Sequence, residues 1–155
     1  MTEQLKILVD SRRIEAFSAA DADVSFLWEK GVRALRSSRA EILDPDSAFT
    51  LAYQAALQGS AAVLHAAGYR VVGRDHHHSI FAGVAALGAG DLSRAARDAR
   101  DMRMERHDVV YGSEPPIEAE QLAEMQDVAR RLFAAAHPWL REARPGLALT
   151  PPPAG

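Results

Sequence analysis

The chain has no cysteine, so disulfides, thiolate metal sites and cysteine nucleophiles are all excluded. Aromatic residues make up only 6% of its 155 residues. β-Branched and aromatic runs are too few for any segment to read as a sheet-forming strand. No apolar run approaches the roughly 20 residues needed to cross a bilayer. The opening Met1–Thr2–Glu3–Gln4 is acidic and polar where a signal peptide would be basic. A net charge of −3 gives no global positive field to gather nucleic acid. Glycine-rich phosphate loops, serine elbows, HExxH and calcium-loop spacings are missing as well. A soluble, cytoplasmic protein without a membrane partner is the expectation.

What is present is alanine, leucine, arginine and glutamate, within a composition that is 48% hydrophobic and 25% charged. That mixture favours helix. The expected architecture is all-α: an antiparallel bundle of four to five main helices, forming one domain over residues 1–144, with a flexible proline-rich tail over 145–155. Helices are predicted over Glu3–Asp10, Asp21–Ile42, Ser47–Ala67, His76–Leu87 and Asp91–Tyr111. A sixth is predicted from Pro115–Pro116 to about His137, with Pro138 as a kink or stop. Asp44 or Asp46 and Asp91 read as caps, and Gly68 as a left-handed helix stop. Tyr69–Arg70–Val71–Val72 is the best strand candidate and is too short to build a sheet alone.

The fifth predicted helix is unusual. It carries Arg94, Arg97, Arg100, Arg103 and Arg106 among five acids, so its net charge is near zero. The plain reading is a solvated helix laced with ion pairs. At about 100° per residue, however, Arg100, Arg103, His107 and Tyr111 form one line. Leu92, Ala95, Ala99, Met102 and Val110 form an apolar face, and Arg106 projects into its middle. A guanidinium facing a core or an interface needs an acid or a cleft, because an unpaired buried charge is very costly.

Arg106–His107–Asp108–Val109–Val110–Tyr111–Gly112 resembles the closing motif of the HEPN-domain family: an arginine, a polar residue, three residues, then histidine or tyrosine. Ala52–Tyr53–Gln54–Ala55–Ala56, followed by Ala62, Leu64 and Gly68–Tyr69–Arg70, is similar to that family's middle helix. His76–His77–His78 is similar to the region after it. The resemblance covers about Asp44 to Tyr111. It implies a small helical bundle, usually a homodimer, that acts on RNA or pairs with a nucleotidyltransferase, as in toxin–antitoxin systems. It implies metal-independent RNA cleavage in active members, with an arginine stabilising phosphate charge and a histidine serving the 2′-OH attack or the leaving group.

Arg106 and His107 are thus the candidate catalytic residues, and Arg100, Arg103 and Tyr111 the candidate nucleotide-binding ones, with no metal or other cofactor expected. Two registers are open. Counted from Arg106, the motif ends in Tyr111, whose ordinary pKa of about 10 makes it a poor base at neutral pH. Counted from Arg100, it ends in His107. The first register predicts binding and puts ribonuclease activity in doubt. The alternative is a non-catalytic interaction module in which Arg106 and Tyr111 form a structural network. A metal-dependent helical enzyme ranks last, because the reconstructed inward faces are alanine and leucine. Adjacent His76–His78 point in different directions and lack the i,i+4 spacing of strong sites. His65 reads as a satisfied core histidine, His137 as a helix end, and Trp28 and Trp139 as packing residues. Tyr53 is placed to reach the Arg106 region or to serve as a core aromatic.

Overall fold

The computed structural model describes residues 1–109 and 116–154, with side chains described for 1–102 and 116–154. Among these residues there are six helices: α1 (Glu3–Asp10), α2 (Asp21–Ser37), α3 (Pro45–Ala66), α4 (His76–Ala85), α5 (Asp91–Val109) and α6 (Ala119–Ala143). The all-α expectation holds. α3 is central and packs on α2, α4 and α6, while α5 closes the bundle between α4 and α6. No helix among the described residues is long and apolar enough to cross a membrane.

Local chemistry explains most boundaries. Asp44 accepts the Ser47 N–H at 2.9 Å with Pro45 in the first turn, so α3 starts there. Gly68 follows the last turn of α3 at φ +96°, a left-handed position that glycine takes without strain. Asp91, expected as a cap, is instead the first residue of α5 and pairs with Arg94. The junction is tied by buried Ser93, whose Oγ accepts from Ala89 N and donates to Val84 O, both at 2.9 Å.

Three boundaries differ from expectation. α2 stops at Ser37 rather than Ile42. Ser38 Oγ donates back to Leu35 O at 2.6 Å, and Gln126 on α6 donates to the Ser38 carbonyl at 3.0 Å. That carbonyl would otherwise receive the next helical N–H, and Ile42 is left 94% exposed. α6 starts at Ala119, where Glu118 and Gln121 form a capping box, and it runs through Pro138 to Ala143. Pro138 removes a hydrogen bond to the Ala134 carbonyl, yet both residues lie on the exposed face, so the freed carbonyl is not left in the core. The Val110–Tyr111 end expected for α5, and Pro115 at the expected start of α6, lie outside the described residues.

A strand not expected from the sequence is present. β1 (Ile14–Ala16) pairs antiparallel with β2 (Tyr69–Val71), in the register Ile14 to Val71 and Ala16 to Tyr69. Glu15 and Arg70 face each other across this pair at 2.6 Å, and Arg70 also covers the Phe17 ring at 4.7 Å.

The α2–α3–α6 core is built on small residues. Ala52, Ala55, Ala56 and Gly59 let α3 approach its neighbours closely, and Phe133 of α6 fills the space between Gly31 and Gly59. Trp28 is fully buried against Phe133, with ring centroids 4.8 Å apart. Residues 145–154 carry no regular element and lie against this body.

His65 is a correction in detail. Its Nδ1 is buried and has no hydrogen-bond partner among the described residues, and its ring meets the Phe17 edge at 5.3 Å. Burial holds its pKa below the ordinary histidine value; Arg70 adds to the effect and Asp23 opposes it. The folded state therefore resists a proton that the unfolded chain takes up below about pH 6.5, so this contribution to stability falls as pH drops through that range. His137 is shifted in the same direction by burial and by Arg141. The drop in melting temperature from pH 7.5 to 5.5 is expected to shrink in a His65→Phe variant. Equal drops in both proteins would refute this assignment.

Candidate functional site

The described part of α5 is amphipathic as the sequence implies. Leu92, Ala95, Ala96 and Ala99 are buried toward α4 and α6, and Met102 is partly buried beside them. The arginines therefore emerge on the flanks, and each flank borders a depression.

On the α6 flank, a shallow groove of about 390 Å³ is lined by Asp91, Arg94, Arg130, Arg131 and two alanines. Its cations are already neutralised. Arg94 pairs with Asp91, and Arg130 with Asp127 at 2.8 Å. Arg131 reaches Asp98 on α5 at 2.9 Å and Asp127 at 3.1 Å. The Asp98 hydrogen bond is the main cause that raises the Arg131 pKa, while the bond to Arg130 leads in lowering that of Asp127. This flank is a clamp between α5 and α6 more than a binding surface. The Asp127 contribution is present above the ordinary carboxylate range and is lost as pH falls below about 4. An Asp127→Asn variant should therefore show a flatter decline of melting temperature between pH 5 and 3 than the parent protein.

On the opposite flank, α1, α4 and α5 enclose a larger cleft of about 550 Å³. Ile7, Leu8, Ala82 and Ala85 give it an apolar floor, and Arg97 and Arg100 stand on its α5 wall. α1 is held there by Thr2, whose hydroxyl accepts the Leu5 N–H at 3.1 Å and donates to the Ala86 carbonyl. Among the described residues the two guanidiniums are weakly engaged. Arg97 Nη1 lies 3.4 Å from the Ala85 carbonyl, and Arg100 Nε lies 3.4 Å from its neighbour Asp101. Charge-assisted pairs usually close to about 2.7–2.9 Å, so both cations keep donors for an incoming anion. The volume falls within the range of small-molecule sites.

Of the predicted site residues, Arg100 alone has a described side chain, and it lines this cleft. Arg103, Arg106 and His107 belong to α5, but their side chains lie outside the described residues, as does the whole of Tyr111. Arg97 was missed by the sequence reading. Its i,i+3 spacing to Arg100 was visible, but the cleft needs α1 and α4 to form it. Tyr53 on α3 packs its ring against His77 and Phe81 of α4, and its hydroxyl lies 3.2 Å from His77 Nδ1. No group of three His, Asp or Glu side chains converges in metal-binding fashion among the described residues. Comparisons with family models, with curated proteins and with solved structures return no match to this chain.

Proposed function

We propose that the chain is a HEPN-like protein that binds RNA or a nucleotide through the arginine flank of α5. The observation that carries this reading is the pair of under-neutralised guanidiniums, Arg97 and Arg100, on an apolar cleft. Phosphate fits the guanidiniums, because their forked donors match its oxygens, and a base or ribose fits the apolar floor. On this reading Arg103, Arg106 and Tyr111 extend the binding surface along the same helix. His107 is the residue that would serve metal-independent cleavage. A homodimer, a nucleotidyltransferase partner and a toxin–antitoxin role follow from the same resemblance, and a cytoplasmic location from the lack of long apolar runs.

The test is retention of a labelled single-stranded RNA by the purified protein and by Arg100→Ala and Arg106→Ala variants, with cleavage scored in His107→Ala. Weaker retention in both arginine variants is expected, with unchanged melting temperatures. Equal retention in all of them would refute the proposal.

The alternative, an interaction module, has one observation on its side: Ile7 remains 57% exposed at the cleft. It predicts that Arg106→Ala costs about 3 kcal/mol of stability, the range for breaking a buried charge pair, and leaves RNA retention unchanged.

A further inference from the structure

Residues 144–154 follow α2 along its length. Arg144 donates to the Ala19 carbonyl and to Asp21 at the start of α2, both at 2.8 Å. The buried Trp28 donates its indole N–H to the Thr150 carbonyl at 2.7 Å. Arg39, just beyond α2, donates to the Ala154 carbonyl at 3.0 Å. The order of these three contacts runs the two segments in the same direction.

An extended polyproline-II rise is what the sequence dictates here. Pro151, Pro152 and Pro153 fix their own φ, and each restricts the residue before it to extended backbone. Beyond the turn in which Leu147 N donates to the Arg144 carbonyl at 3.2 Å, such a segment offers its carbonyls outward and has little order to lose on docking. Leu147 and Leu149 pack on the core, and Pro152 and Pro153 are half-buried. Trp28 is set rigidly between Phe133 and His137, at 4.8 and 5.9 Å. A fixed indole donating to a carbonyl just before a proline run is the chemistry of a proline-rich peptide site.

We propose that the α2 face centred on Trp28 is a proline-rich peptide site, filled here by the chain's own residues 147–154 and open to exchange. Its occupant in trans is a proline-rich segment of a partner, with paired leucines ahead of the prolines, which takes the place of the resident segment.

The test uses the full chain with Pro151, Pro152 and Pro153 all changed to glycine. A Trp139→Phe variant identifies the Trp28 indole resonance. Hydrogen exchange of that indole N–H is expected to quicken about ten-fold or more, by local release, while the helical signal stays unchanged. A synthetic peptide of residues 146–154 is expected to restore protection, and the same peptide with glycines for the prolines is not. Unchanged exchange, or failure of the native peptide to restore protection, would overturn the proposal. Loss of the helical signal would overturn it too, because the segment would then be part of the folded core and not an exchangeable ligand.

Discussion

Replacing Phe133 with alanine is expected to cost about 3–5 kcal/mol, the usual range for deleting a fully buried ring. That is a large share of the roughly 5–15 kcal/mol available to a domain. The ring sits where α2, α3 and α6 meet, between Gly31 and Gly59, which have no side chains to move into its place. The glycines sharpen the test. A methyl added at Gly59 would lie 2.8 Å from Phe133 Cζ and 3.2 Å from Leu132 Cδ2, so the nearest atoms that resist it belong to side chains. A methyl at Gly31 would lie 2.7 Å from the same Cζ, but also 3.2 Å from the Ala55 carbonyl oxygen, which is backbone. Gly59→Ala should therefore destabilise the native protein by about 1–3 kcal/mol through overpacking. In a Phe133→Leu background it should become neutral or stabilising, since alanine is the better helix former. Gly31→Ala should remain costly in both. Denaturant midpoints of the single and double variants decide this, and equal costs of Gly59→Ala in the two backgrounds would contradict the packing described.

Reversing both cleft charges, Arg97→Glu with Arg100→Glu, is expected to weaken RNA binding about 100-fold at moderate salt. Each lost charge-assisted contact is worth about 1.5 kcal/mol or more. The salt dependence gives an independent reading. With two fewer phosphate contacts, the slope of log affinity against log salt should fall by about 1.4 for a single strand. Stability should barely move, because neither arginine makes a close ion pair among the described residues. A loss of affinity with an unchanged slope would place the phosphate elsewhere.

How far the structure could be read from sequence depended on the range of the interactions. Asp44–Pro45 and Gly68 were legible because a cap or a stop is decided within a turn. The apolar line Leu92, Ala95, Ala99 was legible because helical spacing alone sets it. β1 was not, because three residues carry no pattern and their partners lie more than fifty residues away, at Tyr69–Val71. The end of α2 was hidden because Gln126, from another helix, takes the Ser38 carbonyl. Pro138 misled because its effect depends on whether Ala134 faces water. In the site, Arg100 was reachable from periodicity, but Arg97 gains meaning only once α1 and α4 stand opposite it.

The attachment of α1 has a consequence for access. This helix buries only Leu5 and Leu8, and residues 2–17 are tied to the rest by the short β1 pairing and its flanking backbone bonds, the Glu15–Arg70 pair and the Thr2 hydroxyl on Ala86. Leu5, Leu8 and Ile14 sit at the margin of a core whose largest part is α2, α3 and α6. With fewer ties than the central helices, residues 3–16 should exchange their amides well before α3 does. Because this arm forms one side of the arginine cleft, the wall that an incoming ligand meets is the part of the fold expected to open first.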